Sequence, residues 1–174
     1  MTKLGPLRVR RIDRVISTDD IIPGRYKHMF TDTSELAKHV FENIFPGLAE
    51  TFRPGDVISS STTFGIGSSR EQAASSLLAA GVRAVIAPSF GRIFFRNAWN
   101  LGLIAVEVAD LDAGEGDAVT IDLDAGRIEG PGRSAAFSPP PARMLEMINA
   151  GGLLPLVASR LAEQGRIQAG GSVQ

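Results

Sequence analysis

The sequence predicts an α/β domain with a mostly parallel central sheet and helices on its faces. Two short apolar runs, residues 84–87 and 103–106, have the length and composition of strands that are buried on both faces. A segment of helical periodicity that carries Phe94 and Trp99 joins them. Because strand–helix–strand connections are right-handed and parallel, these runs predict neighbouring parallel strands.

The chain is long enough for one hydrophobic core and shows no internal repeat. At 174 residues it fits one domain of common size. We expect a single domain over residues 1–164. The Gly-rich segment over residues 165–174 predicts a disordered C-terminal tail.

The other elements follow from alternation, helical periodicity and breaker residues. Polar–apolar alternation predicts strands, a 3.6-residue period predicts helices, and Pro or Gly ends both. In chain order we predict a strand at 7–12, a turn and loop at 19–26, a helix from Ser34 to about Phe45, a strand from Asp56, a helix at 73–80, a hairpin over 117–129, and helices at about 142–149 and 155–163.

Charge and hydropathy indicate which partners the chain does not attract. A formal net charge of −1 gives no general attraction to nucleic acid or to an acidic membrane surface. No apolar run approaches the roughly 20 residues that span a bilayer, and the N-terminus lacks a signal-peptide core. We therefore expect a cytoplasmic protein that binds neither nucleic acid nor membrane.

The residue counts also limit metal chemistry. The chain has no cysteine and only two histidines, His28 and His39. Disulfides, thiolate zinc sites and cysteine-ligated iron–sulfur clusters are thereby excluded for this chain. We expect no metal bound by the chain itself.

The most informative motif is FGIGSSRE at residues 64–71, between an apolar strand and a helical run. Gly65 and Gly67 permit a tight turn and close backbone approach. Ser68 and Ser69 fall where a helix N-terminus exposes unpaired amides and the positive end of its dipole. Arg70 follows with a fork that holds a carboxylate by two hydrogen bonds. The motif predicts a site for an anionic substrate with a hydroxyl beside it.

A purely structural interpretation of the same residues stays open. Ser68 and Glu71 have the S-x-x-E spacing of a capping box, which stabilises a helix start without chemistry. A generic phosphate cradle also fits a Gly-rich turn before a helix. The motif contains neither the G-K-[ST] of a P-loop nor the G-x-G-x-x-G of a dinucleotide site.

Three blocks together carry a family resemblance. They are TDDIIPGRY at 18–26, FGIGSSRE at 64–71 and SFGRIFFRN at 89–97. In this order and spacing they resemble the small subunit of 3-isopropylmalate dehydratase, which is homologous to the swivel domain of aconitase. The resemblance covers about residues 14–161. It implies a swivelling β/β/α domain.

The resemblance also implies an activity and a division of labour between chains. It implies a hydro-lyase that isomerises a small di- or tricarboxylic hydroxy acid, with a [4Fe–4S] cluster on a separate large subunit. On the family motif, Ser68 is the base that removes a proton from carbon, and Ser69 with Arg70 holds a substrate carboxylate. The chain alone is then inactive.

The first block adds further candidate residues. The resemblance implies that Asp19 organises the active-site face, and a turn-forming Asp bonded to nearby amides is an equal alternative. Arg25 is a candidate for a second substrate carboxylate, or it pairs with an acidic surface group. The loop that follows, with Lys27, His28 and Met29, is where this family selects the side group of its substrate.

Several functions remain open on the sequence. The first is the interconversion of 2- and 3-isopropylmalate in leucine biosynthesis. Paralogous hydro-lyases of the 2,3-dimethylmalate, homoaconitate or citraconate type are alternatives, because the loop at Lys27 to Met29 suits either an apolar group or a carboxylate. A non-catalytic module with the swivel fold is a third, since Gln72 stands where many relatives have a titratable histidine.

Overall fold

The computed structural model describes residues 2–30, 32–67 and 70–170, and for residues 27–28 and 166–170 it describes the backbone alone. The strands are β1 (Lys3–Arg11), β2 (Ile16–Ser17), β3 (Asp56–Ser59), β4 (Phe64–Ile66), β5 (Val82–Ala87), β6 (Ile104–Glu107), β7 (Ala118–Asp122), β8 (Arg127–Glu129) and β9 (Ala135–Ala136).

The helices lie around these strands. They are α1 (Thr18–Ile21), α2 (Thr33–Ala37), α3 (Glu71–Ala79), α4 (Arg92–Leu101), α5 (Ala142–Ala150) and α6 (Leu153–Gly170). Short 3-10 helices cover Gly24–His28 and Ala49–Thr51.

The predicted parallel sheet is confirmed. Among the described residues, seven strands form one sheet in the order β6-β5-β3-β1-β7-β8-β9. The β6–β5, β5–β3 and β3–β1 pairs are parallel. The predicted hairpin, β7 and β8, extends the sheet in antiparallel register beside β1. The parallel half is buried on both faces, as its continuous apolar runs predict.

The glycine motif departs from the predicted single sheet. Its residues Phe64–Ile66 form β4, which pairs in parallel with β2 in a separate two-stranded sheet. A bridge between Phe64 and Phe90 joins this small sheet to the segment before α4. All three sequence blocks that carry the family resemblance therefore meet at one place.

The predicted helix from Ser34 to about Phe45 was wrong in its extent. Helix α2 ends at Ala37, and turns follow. Phe41 takes a φ of 60°, which is uncommon for a residue with a side chain, and its N–H donates to the Ile21 carbonyl at 2.9 Å. Its buried ring packs against Phe52 and Phe64. Burial of the ring thus outweighs the helical pattern.

The last helix also differs from its predicted bounds. Helix α6 continues past residue 163 to Gly170, into the segment for which we predicted disorder. Residues 171–174 of that predicted tail lie outside the described residues. Within the described ranges, no helix combines the length and apolar character needed to cross a membrane.

A buried ionic cluster holds β1 to β3. The Asp56 side chain is 1% exposed and receives the Arg8 guanidinium through both oxygens, at 2.8 and 2.7 Å. Arg10 lies 3.5 Å from the same carboxylate and 4.9 Å above the Phe52 ring. Burial favours the neutral acid, but the hydrogen bonds from Arg8 and the Arg53 amide prevail and hold the pKa of Asp56 below its usual value.

We predict that Asp56→Asn lowers the free energy of unfolding at pH 7 by about 2 kcal/mol, because Arg8 loses its charged hydrogen-bond partner and Arg10 keeps only Glu115 as an acidic partner. The pKa of Asp56 is lower in the folded state than in the unfolded state, where it is about 3.9. Its carboxylate therefore stabilises the fold at pH values above about 3.9, and this contribution to stability is lost as the pH falls through the folded-state pKa. The difference between wild type and variant should therefore narrow below about pH 4 in urea titrations. An equal difference in the free energy of unfolding at pH 7 and pH 3 would contradict the role given to the Asp56 carboxylate. The control is Asp110→Asn, which changes an exposed acid.

Candidate active site

Helix α1 begins with a complete capping box that does not use Asp19. The Ser17 hydroxyl accepts the Asp20 N–H at 3.1 Å, and the Asp20 carboxylate accepts the Ser17 N–H at 2.8 Å. The turn-forming role that the sequence left open for Asp19 is thus carried by Asp20.

The β4 strand requires glycine for close packing. Gly65 has a φ of +76°, and a Cβ there would lie 2.6 Å from Cδ1 of Phe94. The Gly91 N–H donates to the Phe64 carbonyl at 2.9 Å, so the backbone before α4 runs directly against β4. These contacts fix the direction in which the motif leaves the small sheet.

The capping-box interpretation of the glycine motif was wrong in its register. The N-cap of α3 is Arg70, and Glu71 is the first helical residue rather than the third. The exposed amides at this helix start therefore belong to the residues that directly follow Arg70. The positive end of the α3 dipole therefore lies at the Arg70 backbone.

Arg70 and Asp19 are brought together across the two motifs. Nη1 of Arg70 is buried and forms an ion pair with Oδ1 of Asp19, but it makes no hydrogen bond within the described part of the chain. The Arg70 side chain is 21% exposed and that of Asp19 is 60% exposed. A Cβ on Gly24 would lie 3.2 Å from both terminal nitrogens of Arg70, so the guanidinium rests on the Gly24 backbone.

The serines of the motif, Ser68 and Ser69, lie outside the described residues. Their neighbours on both sides contact α1. A Cβ on Gly67 would lie 3.3 Å from the Thr18 hydroxyl, and Arg70 pairs with Asp19. The roles predicted for Ser68 and Ser69 stay predictions.

Arg25 is anchored to the turns that follow α2. Its guanidinium donates to Glu42 at 2.8 Å and to the Asn43 side chain at 2.9 Å. It also stacks over the Tyr26 ring, 4.7 Å from the centroid. The structure therefore gives Arg25 an acidic partner on the protein, while its predicted contact with substrate stays a prediction.

Glu42 is the centre of a cluster that sequence reasoning missed. Its carboxylate also accepts the Tyr26 hydroxyl at 2.9 Å and the Nδ1–H of His39 at 2.5 Å. The hydrogen bond from His39, with those from Tyr26 and Arg25, holds the pKa of Glu42 below its usual value.

Aromatic stacking completes this cluster. The His39 ring stacks on Tyr26 at 4.0 Å and on Phe30 at 5.6 Å between centroids. His39 belongs to the segment predicted as a helix from Ser34 to about Phe45, but it lies in a turn, with a side chain that is 27% exposed. The position of His39 in the sequence pattern did not predict its stacking on Tyr26 and Phe30.

The candidate specificity loop is only partly described. Lys27 and His28 belong to the 3-10 helix Gly24–His28, and their side chains lie outside the description. Met29 follows with 64% of its surface exposed. Its N–H donates to the Tyr26 carbonyl at 3.1 Å, which ties it to the Glu42 cluster.

Among the described residues, no three His, Cys, Asp or Glu side chains converge in a way that could hold a metal ion. The sequence has no cysteine to offer an iron–sulfur cluster.

The fold and these motifs match known proteins. The family model "Aconitase C-terminal domain" matches residues 12–111. A 3-isopropylmalate dehydratase small subunit from Nautilia profundicola is 47% identical over 90% of this chain and 95% of its own length. The chain belongs to the 3-isopropylmalate dehydratase small-subunit family.

Other members of the small-subunit family extend this result. A relative from Methanothermobacter thermautotrophicus, named a methanogen homoaconitase small subunit, is 46% identical over 84% of this chain and 86% of its own. A crystal structure of 3-isopropylmalate dehydratase from Methanocaldococcus jannaschii superposes with a TM-score of 0.84 at 37% identity, covering 94% of this chain and 97% of that one. The predicted swivelling β/β/α fold is thereby confirmed.

The Gly65 contact yields a stability prediction. Gly65→Ala forces both a strained backbone and an overlap with Phe94, so we expect a loss of about 3 kcal/mol in the free energy of unfolding. Gly47→Ala is the matched control: Gly47 has a φ of +83°, and no heavy atom lies within 4 Å of a Cβ built there.

The control should lose only about 1 kcal/mol from the backbone strain. Urea denaturation of both variants measures the difference. Equal losses would contradict the close packing of β4 against α4.

Proposed function

We propose that this chain is the small subunit of a 3-isopropylmalate dehydratase, a hydro-lyase that interconverts 2- and 3-isopropylmalate in leucine biosynthesis. The observation that carries the proposal is the Arg70 guanidinium, held at the start of α3 by Asp19 and Gly24. A cation fixed in this way is suited to orient a substrate carboxylate by a forked pair of hydrogen bonds.

In the proposed mechanism, Arg70 keeps Asp19 on one terminal nitrogen and turns its remaining N–H donors to a substrate carboxylate. Ser69 adds a hydrogen bond to the same carboxylate. This fixes the substrate so that a carbon–hydrogen bond faces the Ser68 oxygen. Arg25 and the loop at Lys27, His28 and Met29 surround the remaining part of the acid.

Ser68 is the proposed base. An alcohol is a weak base at neutral pH, so its alkoxide requires nearby positive charge and N–H donors. Arg70 and the exposed amides at the start of α3 supply both.

The second half of the proposed site lies on another polypeptide. Relatives of this chain are named small subunits, which supports a large-subunit partner. We assign to that partner a [4Fe–4S] cluster, which supplies a Lewis acid for the hydroxyl that leaves. This chain has no cysteine and contributes the base and the carboxylate-binding groups.

A second candidate function is the dehydration of a longer tricarboxylic acid. The relative named as a homoaconitase small subunit favours it, because its identity of 46% is close to that of the isopropylmalate relatives. The two activities differ in the substrate arm, which is carboxylate-bearing in one and isopropyl in the other.

We predict that Ser68→Ala lowers kcat by about a thousandfold in the complex with a cluster-binding large subunit, because it removes the base. Loss of water from isopropylmalate gives a conjugated alkene, whose ultraviolet absorption reports turnover. Ser61→Ala, which removes an exposed hydroxyl from the loop before β4, should leave kcat unchanged. Unaltered kcat in Ser68→Ala, with the large subunit bound, would refute the assignment.

We predict that the reconstituted enzyme prefers isopropylmalate over homocitrate-type and methyl-substituted malates by at least about tenfold in kcat/KM. Steady-state assays with each acid on one preparation measure this preference. A higher kcat/KM for the tricarboxylic acid would replace the first candidate function with the second.

A further inference from the structure

The segment 24–30 joins two fixed points. At one end, the Gly24 backbone lies against the Arg70 guanidinium, the proposed carboxylate ligand. At the other, Met29 follows the 3-10 helix with a largely exposed side chain. The position of Met29 relative to Arg70 therefore depends on what holds the residues between them.

Glu42 holds those residues. One carboxylate accepts hydrogen bonds from Arg25 at 2.8 Å and from the Tyr26 hydroxyl at 3.0 and 2.9 Å. Glu42 lies outside the segment, in the turns after α2, and its neighbour Phe41 is fully buried. The anchor is thus attached to the hydrophobic core.

The rings strengthen this attachment. His39 donates to the same carboxylate and stacks on Tyr26, and Phe30 stacks on His39. Segment 24–30 is therefore held at two places. Charge and hydrogen bonds hold Arg25 and Tyr26, and ring stacking holds Phe30. Such a network specifies one arrangement only while its members are all satisfied.

We infer that Glu42 is a positioning residue. By tying Arg25 and Tyr26 to the core, it fixes segment 24–30 against Arg70, and this position determines which substituent on the substrate acid the enzyme accepts. Glu42 acts through the segment and does not touch the substrate. The inference rests on the proposed function, because it assigns substrate selection to the space between Arg70 and this segment.

Glu42→Gln tests this inference, because glutamine keeps the size of the side chain but loses the charge that pairs with Arg25. The readout is the ratio of kcat/KM for isopropylmalate to that for methylmalate in the complex with the large subunit. We expect the ratio to fall about tenfold, mainly through a higher KM for isopropylmalate, since one misplaced pocket wall changes discrimination by this order.

Two further variants sharpen the comparison. Tyr26→Phe keeps the ring but removes the hydroxyl whose hydrogen bond Glu42 accepts. In the double variant, the effects of Tyr26→Phe and Glu42→Gln on the ratio should therefore not add. Glu35→Gln is the matched control, because it breaks an exposed ion pair with Lys38 at 2.7 Å on the same stretch of chain. The control should leave the ratio unchanged.

Amide hydrogen exchange on the isolated chain gives a readout besides activity. The Met29 amide bonded to Tyr26 should exchange about tenfold faster in Glu42→Gln than in wild type. Faster exchange with a lowered ratio supports the inference. An unchanged ratio overturns it, and so does a lowered ratio without faster exchange. A wild-type complex that dehydrates no hydroxy acid refutes the proposed function, and this inference with it.

Discussion

The parallel pairing of β2 with β4 is the contact on which the rest of the site depends. It sets Ser17 opposite Ile66, so that α1 begins beside the end of β4. Asp19 then meets Arg70, and the chain after α1 returns Gly24 to the same guanidinium. An ion pair of this kind is weak at an exposed surface, but here Nη1 of the arginine is buried and the guanidinium lies against the Gly24 backbone.

This arrangement leaves Arg70 suited to two partners. Asp19 is more exposed than Arg70, so the carboxylate stands on the solvent side of the pair. A guanidinium has five N–H donors, and one pairing does not use them all. In the proposed enzyme, Asp19 therefore orients the arginine before the substrate acid binds. The conformational entropy of the Arg70 side chain is then lost on folding rather than on binding.

The sequence predicted the parts of the molecule in which local residues decide local structure. The buried parallel strands and the β7–β8 hairpin follow from patterns within a few residues. It could not predict what long-range packing decides. Phe41 adopts a left-handed conformation because its ring is buried, and β2 and β4 are too short to show alternation. Glu42 receives partners 16 and 17 residues away, with no spacing that indicates them.

The central claim is that Arg70 orients a substrate carboxylate within a pocket shared by two chains. A crystal structure of the complex with its large subunit and a bound, unreactive analogue of isopropylmalate tests it most directly. We expect an analogue carboxylate within hydrogen-bond distance of the Arg70 guanidinium, with the Ser68 oxygen facing the carbon that loses its proton. An analogue bound at the cluster while Arg70 contacts only Asp19 would contradict it.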